Sequence, residues 1–263
     1  MSADPGLHGA ELYREAELYD IAYGWDVTRE VQFVLTCMEF YGRGEPRRIL
    51  EPACGTGRNL VCLGHMGLEA LGYDVTAATT RYARRRLRRE GLAESCRVRT
   101  GDMRSFRVDE RFDGAYTAIN SFRYLLDDAD VLSHLAAVGA MLGPGGVYVI
   151  DLSYGMPPRR RPKTIRWDAE RGGVRMRVVW RTTEDRAARR SLETCTLEVE
   201  APEPRVLETR HTTRLWEARE FRALVESAGW RLESIYDAQY RHLPDSPLPQ
   251  GGMDNLYHVL VKE

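Results

Sequence analysis

Apolar and polar positions along this chain follow two rhythms that change places. Over residues 19–41 the apolar side chains Val31, Val34, Leu35 and Met38 recur at helical spacing, which predicts a helix with one face on a sheet. Short apolar runs then take turns with longer amphipathic ones. The pattern predicts strands at 48–51, 68–74, 98–100, 114–119 and 147–152. It predicts helices at 58–66, from Thr76 as N-cap to about Glu90, and at 129–142, the last ended by Gly143-Pro144-Gly145-Gly146. Strand and helix alternating at this pitch imply parallel strands with right-handed crossovers, hence an α/β sheet covered by helices. From 153 to 215 the rhythm switches to period two, at Val174, Met176, Val178 and Trp180, around Cys195, Leu197 and Val199, and through 207–215. Those are amphipathic antiparallel strands, preceded by the basic loop Pro157-Pro158-Arg159-Arg160-Arg161-Pro162. A last helix at 219–228 and strands at 230–236 and 256–261 follow. The expected divisions are a core with an N-terminal cap over 1–153, an insert over 154–215 and a C-terminal part over 216–263.

The most informative stretch is Ile49-Leu50-Glu51-Pro52-Ala53-Cys54-Gly55-Thr56-Gly57-Arg58-Asn59-Leu60, a buried strand running into a glycine turn that opens a helix. Without a Cβ at Gly55 and Gly57 the backbone can turn sharply and approach a ligand closely. A pyrophosphate is disfavoured here by the Glu51 carboxylate, and Leu60 stands where a dinucleotide fingerprint has its third glycine, so a nicotinamide dehydrogenase does not fit. A cationic ligand reverses the argument, because an acid at the mouth of the turn attracts it. Asp74 closes the second strand, where a carboxylate can accept both hydroxyls of a ribose. Asp102, in Arg99-Thr100-Gly101-Asp102-Met103, ends the third strand and can accept from an adenine amino group. Three acids thus fall at three consecutive strand ends.

On Glu51-Pro52-Ala53-Cys54-Gly55-Thr56-Gly57, Gly72-Tyr73-Asp74, Gly101-Asp102-Met103, Phe112-Asp113-Gly114-Ala115 and Leu142-Gly143-Pro144-Gly145-Gly146, the chain resembles the class I S-adenosylmethionine-dependent methyltransferases. The likeness is close over 19–153 and looser near the C-terminal end. It implies a doubly wound, mostly parallel seven-stranded α/β sheet with an antiparallel β-meander insert, and S-adenosyl-L-methionine as cofactor. It implies Glu51 at the methionine ammonium, Gly55 and Gly57 at the close backbone approach, Asp74 at the ribose, and Asp102 with the Met103 amide at the adenine. Ala53, Asn59, Val75 and Asn120 complete the cofactor set. The family covers its site with an N-terminal helix, which implies Tyr19 or Tyr23 near the sulfonium, where an aromatic face favours positive charge. Cys54 departs from the family's usual glycine or alanine and is small enough to leave the site intact.

In the family, a β-meander after the fifth strand lies over the open end of the sheet, helps to close the substrate pocket and sometimes forms a dimer contact. Small-molecule N- and O-methyltransferases, including those acting on nucleotide-linked amino sugars, share this layout. The expected activity is methyl transfer to N or O of such a small molecule, with the insert choosing the acceptor and the cofactor held elsewhere. An in-line displacement asks mainly for alignment, worth roughly 7–11 kcal/mol in good cases, and a base matters only for a hydroxyl or ammonium acceptor. The candidate catalytic residues are Tyr23, Asn120 and His211; the candidate substrate contacts are Trp25, Arg123, Tyr124, His211 and Arg214. The bland alternative for the aromatics is core packing, and for the arginine run a solvated face. A non-catalytic adenosylmethionine-binding regulatory protein also stays open: a pocket lined by Tyr23, Asn120, Arg123 and His211 favours the enzyme, an insert filling that volume with apolar side chains the binder.

Composition narrows the partners. The 263 residues carry a formal net charge of −1 with a sequence pI of about 6.6, so no basic field points to nucleic acid or an anionic membrane. Ile119-Asn120-Ser121-Phe122 is not the Asn/Asp-Pro-Pro-aromatic motif of nucleic-acid amino methyltransferases, and the Pro-Cys pair of the cytosine C5 enzymes is absent. Cys37, Cys54, Cys62, Cys96 and Cys195 lack metal-like spacing and are odd in number, which suits free thiols in a reducing cytoplasm and no metal site. Residues 1–17 are polar without a signal-peptide core, and no apolar run reaches membrane-spanning length, so a cytoplasmic protein is expected, as a monomer or homodimer. Lys163 and Lys262 are the sole lysines, a bias that reflects a GC-rich coding genome better than a function.

Overall fold

The computed structural model describes residues 11–155, 163–244 and 255–262. Two short helices, α1 (Glu11–Arg14) and α2 (Ala16–Ala22), precede α3 (Thr28–Tyr41). The core then runs through β1 (Arg48–Pro52), α4 (Arg58–His65), β2 (Glu69–Asp74), α5 (Ala77–Arg89), β3 (Cys96–Thr100) and β4 (Phe112–Thr117). A 3₁₀ turn (Ser121–Tyr124), α6 (Asp128–Met141) and β5 (Leu142–Asp151) complete the alternation. Four strands follow, β6 (Lys163–Arg171), β7 (Val174–Asp185), β8 (Arg190–Ala201) and β9 (Arg205–Arg214). The chain returns to the core through α7 (Ala218–Ser227), β10 (Trp230–Tyr236), β11 (His242–Leu243) and β12 (Tyr257–Lys262).

The larger sheet has the order β11-β10-β12-β5-β4-β1-β2-β3, with β1 to β5 mutually parallel and β12, β10 and β11 antiparallel. Strands covered on both faces read as continuous apolar runs, as in Ile49-Leu50 and Val147-Tyr148-Val149-Ile150, all at most 1% exposed. One face packs against α6 and α7 through Leu135, Val138, Phe221 and Val225. The other packs against α3, α4 and α5 through Val34, Met38, Leu63 and Leu87. The seven expected strands are all present, and the two-residue β11 adds an eighth at the edge.

The second sheet is a four-stranded antiparallel meander, β6-β7-β8-β9. Period two in the sequence shows three of these strands; β6 was not expected, because its alternation rests on Ile165, Trp167 and Ala169 and none of them is fully buried. The apolar face of this sheet, with Met176, Val178, Cys195, Leu197 and Val199, closes on Leu12, Leu18, Ile21, Ala22 and Tyr23 of the cap helices. The arginine loop at 157–162 lies outside the described residues.

Local rules explain the other departures. The helical rhythm of 19–41 is broken after Ala22, where Asp26 turns back to accept from the Thr28 amide at 2.8 Å and the Thr28 hydroxyl at 2.6 Å. Thr76 precedes α5 as expected, but its hydroxyl caps nothing; Asp74 Oδ1 accepts from the Thr76 amide at 2.8 Å and the Thr79 hydroxyl at 3.1 Å. The Gly143-Pro144-Gly145-Gly146 run is already the start of β5, taken up as an irregularity between the Phe112–Leu142 and Gly114–Val147 pairs. Among the described residues no helix is long and apolar enough to cross a membrane.

Candidate active site

The order of the larger sheet reverses between β1 and β4, and the chain leaves these neighbours in opposite directions, opening a crevice beyond their C-terminal ends. The backbone is strained on both sides of it. Ala53 after β1 has φ 55°, and Ile119 and Asn120 after β4 have φ 50° and 58°, left-handed values that a β-branched residue such as isoleucine rarely takes. One side chain and one backbone amide at the end of β5 hold the second turn. The Ile119 amide donates to Asp151 Oδ2 at 3.0 Å, and Asn120 Oδ1 accepts from the Ser153 amide at 2.6 Å.

A cavity of about 360 Å³ fills the crevice, lined by Tyr13 and Tyr19 from the cap, Ala53, Gly55, Asp74 and Val75 from the first two strand ends, and Asp102 and Met103 from the third. Asp74 faces it with Oδ2 accepting from the Gly55 amide at 3.1 Å; burial raises its pKa, against the pull of the Thr76 and Gly55 amides. Burial alone would also raise Asp102, but the Arg104 guanidinium, 2.5 Å from Oδ2, and the Arg104 amide hold it below the usual carboxylate range. Behind Met103, buried His134 bonds the Met103 carbonyl through Nδ1 at 2.9 Å and Tyr148 Oη through Nε2 at 2.7 Å. Burial pushes its pKa down to about 4, so the neutral ring donates to the carbonyl and accepts from the phenol.

A chamber of about 30 Å³ adjoins, sharing Tyr19, Ala53, Gly55 and Ser121 with the cavity and adding Glu51, Arg58, Asn59 and Tyr23. Glu51 is 4% exposed. Its Oε1 accepts from Asn59 Nδ2 at 2.9 Å, while Oε2 is buried with no hydrogen-bond partner among the described residues. Burial, against the opposing Asn59 bond, pushes its pKa up to about 8. The guanidinium of Arg58, the first residue of α4, lies 4.5 Å from the Trp25 ring and donates to the Tyr23 carbonyl. An orphaned carboxylate oxygen and a guanidinium lining one small chamber suit a zwitterion with an ammonium and a carboxylate. The chamber opens toward a carboxylate that can accept a diol, and then toward a third acid.

Of the expected cofactor residues, Tyr19, Ala53, Gly55, Asp74, Val75, Asp102 and Met103 line the cavity, and Glu51 and Asn59 the chamber. The Tyr19 ring covers Gly55, where a Cβ would lie 3.5 Å from it. Cys54 does leave the turn intact, because Gly72 on the neighbouring strand gives room; a Cβ there would lie 2.7 Å from the Cys54 sulfur. Two residues do not reach the site. Gly57 starts α4 with φ 74° and packs on Ala83, and the Asn120 side chain is spent on the Ser153 amide, so a catalytic part for Asn120 gives way to holding the turn.

Of the expected acceptor residues, Tyr124 lines the cavity, its hydroxyl 2.8 Å from that of Tyr13. Tyr23 lines the chamber with its hydroxyl turned to Cys195 Sγ at 4.0 Å. His211 stands one layer back, 3% exposed, against the rings of Tyr13 and Tyr124 and stacked on Trp180, with Nε2 3.0 Å from the Thr209 hydroxyl. Arg123 pairs with Glu193 at 2.6 Å, and Arg214 with Asp128 and Glu220, so both guanidinium groups join core to insert and neither lines the cavity. Trp25 is 44% exposed and carries the Arg58 guanidinium. Tyr13 and Arg58 were missed. Arg58 had a signal in its place beside Gly57; Tyr13 sits upstream of any recognisable pattern.

A family model described as a methyltransferase domain matches residues 49–146, the span from β1 into β5 that carries all three acids. Residues 49–146 therefore match a methyltransferase domain. Such domains use S-adenosylmethionine, and the acid, diol-accepting and adenine-facing positions fit that cofactor. Among curated proteins, the chain is 27% identical over 139 residues to a dTDP-3-amino-3,4,6-trideoxy-alpha-D-glucopyranose N,N-dimethyltransferase of Streptomyces venezuelae, covering 52% of this chain and 56% of that one. It is 29% identical over 141 residues to a dTDP-3-amino-3,6-dideoxy-alpha-D-glucopyranose N,N-dimethyltransferase of Streptomyces fradiae, covering 52% of each. The chain thus spans about half the length of the curated relatives it matches. In fold it is similar to the crystal structure of Streptomyces venezuelae DesVI, with a TM-score of 0.78, 21% identity, and coverage of 95% of this chain and 98% of that one.

Proposed function

We propose that this chain is an S-adenosylmethionine-dependent methyltransferase that methylates the amine of a small, nucleotide-linked amino sugar. The observation that carries the reading is the buried, unpartnered Oε2 of Glu51 beside Arg58 in a chamber that opens onto Asp74. In this reading Glu51 takes the methionine ammonium, Arg58 the carboxylate, Asp74 the ribose hydroxyls, and Asp102 with Met103 the adenine edge. S-adenosylmethionine, when bound, supplies a methyl group on a positively charged sulfur. Tyr19 covers that position with an aromatic face, which favours positive charge and keeps water from it.

The acceptor end, with Tyr13, Ser121 and Tyr124, offers hydroxyl groups, and the carboxylates of Asp127 and Asp130 that also line the cavity face Arg190 at 2.8 Å and Arg104 at 3.7 Å. Burial raises the Tyr13 and Tyr124 phenols above their ordinary value, so both stay protonated and act as hydrogen-bonding guides. A nucleophile that brings its own lone pair suits such a site: a neutral amine attacks the methyl carbon, the sulfur keeps the bonding pair, and the surplus proton leaves to solvent afterwards. The amine also matches what the two Streptomyces relatives are named for. The protein's own part is then alignment, which supplies most of the acceleration in a displacement of this kind.

The test is to incubate the protein with methyl-labelled S-adenosylmethionine and dTDP-linked amino sugars and follow products by mass spectrometry. A labelled gain of one or two methyl groups on the amine supports the reading. Tight binding of S-adenosylhomocysteine with no transfer to any amino sugar, alcohol or phenol would point instead to a non-catalytic binder.

A further inference from the structure

The seven-residue helix α2 carries Tyr19 over the glycine turn, yet it is too short to hold itself in place. Beside its apolar packing on the insert, one buried carboxylate ties it to both neighbours. Asp20 lies on α2 with its side chain 2% exposed, and three groups from two other elements converge on it. From α5 of the core, Arg86 Nη1 stands 2.6 Å from Oδ1 and the Tyr82 hydroxyl donates to Oδ2 at 2.8 Å. From the end of β6 in the insert, Arg171 Nη2 stands 2.6 Å from the same Oδ2. The helix end is tied in the same pattern. Trp167 of β6 donates through Nε1 to the Ala22 carbonyl at 2.7 Å, and Arg58 of the core donates to the Tyr23 carbonyl, so two of the carbonyls that a helix C-terminus leaves unpaired are each taken by a different neighbour.

We infer that Asp20 is a positioning residue for cofactor binding: it clamps the cap helix between core and insert, so that Tyr19 closes over the cofactor only while the first strand of the insert is docked. The inference rests on the proposed cofactor site. Arg86 alone balances the Asp20 charge, so losing Arg171 removes the tie to the insert and keeps a buried pair with the core, whereas losing the Asp20 charge leaves two guanidinium groups facing each other. Arg171 is the limb that can be released, since its side chain is 44% exposed against 18% for Arg86. Its release unties the cap helix from the insert while Arg86 and Tyr82 of the core still hold Asp20, so Tyr19 loses the support of the insert and the cofactor can leave.

Hydrogen exchange on the ligand-free protein tests the clamp without any assumption about the ligand. In Arg171→Met the amides of 16–22 should exchange at least about tenfold faster, with α3 and β1 unchanged, and Asp20→Asn should give the same pattern more strongly. In stopped-flow displacement both variants should release S-adenosylhomocysteine about five- to tenfold faster with nearly unchanged association, as expected when a closure and not a contact is lost. Unchanged exchange over 16–22 in both folded variants overturns the clamp. Faster exchange with an unchanged release rate overturns its link to the cofactor, whereas wild-type protein that binds no S-adenosylhomocysteine sinks the reading of the cavity and leaves the clamp standing.

Discussion

Glu51 combines two properties that oppose each other: it is expensive to ionise where it stands, and it is the group best placed to hold a cation. With its folded pKa raised from 4.5 to about 8, the ligand-free protein keeps Glu51 protonated at pH 7, and binding an ammonium must expel that proton. Affinity for S-adenosylhomocysteine should therefore rise with pH up to about 8 and then level off, as isothermal titration at several pH values would show. Glu51→Gln should remove that pH dependence and weaken binding, while stabilising the ligand-free protein at pH 8 and not at pH 4.5. Asp74 answers to a different measurement. It accepts from Gly55, Thr76 and Thr79, so Asp74→Ala unties the turn as well as losing the ribose contact, and affinity should fall at least about tenfold, or about 1.4 kcal/mol. Unchanged affinity in a folded variant would remove Asp74 from the site. These acids were legible in the sequence because each ends a strand at the same edge of a parallel sheet, a relation that spacing along the chain encodes. His211, Arg123 and Arg214 were legible as polar residues near the site but not as what they are. Whether a side chain reaches a cavity or a neighbouring ion depends on partners such as Glu193 and Glu220, which lie far from Arg123 or on another element.

At the scale of elements, the division expected from the change of rhythm at residue 153 hides a dependence. The insert was expected to leave the cofactor alone, yet its apolar face covers α1 and α2, which supply Tyr13 to the cavity and Tyr19 to both cavity and chamber. Replacing residues 153–215 by a glycine-serine linker should therefore weaken S-adenosylhomocysteine binding as well as abolish turnover; full cofactor affinity in the trimmed, folded protein would contradict this packing. The sequence could not show it, because the face of a meander is written in its alternation but the surface it meets is not. Arg123 is the second joint between the two parts. It pairs with Glu193 at 2.6 Å and its Nε donates to the Arg214 carbonyl at 3.1 Å, fixing the 3₁₀ turn that carries Tyr124. Arg123→Met should raise KM for the acceptor more than KM for the cofactor, since Tyr124 lines the cavity at its acceptor end while Glu51 and Asp74 are untouched.

Over the whole molecule, buried titratable groups set a balance in pH. His134 and His258 are fully buried with pKa values lowered by burial from 6.5 to about 4, so each binds its proton more readily in the unfolded chain. Their contribution is complete above pH 6.5 and is lost as pH falls toward 4, roughly 3 kcal/mol apiece by linkage. Glu51 acts in the opposite sense, its contribution fading as pH rises from 4.5 to about 8. Of the described carboxylates and histidines these three are shifted furthest; two act against one below pH 6.5 and one alone acts above it, which puts the maximum of thermal stability of the ligand-free protein near pH 6.5, with Glu51→Gln moving it upward. A midpoint that climbs steadily to pH 8 in the wild type would contradict this. The order of the strands carries a further consequence, in time. β12, residues 257–262, is paired on one side with β5 and on the other with β10, so it is the strand through which β10 and β11 join the sheet. A ribosome making this chain delivers β10 and β11 well before the strand that joins them to β5. Until β12 is made, β5 presents an open edge at Val147, Val149 and their neighbours, and the nascent chain is at its most adhesive in that interval.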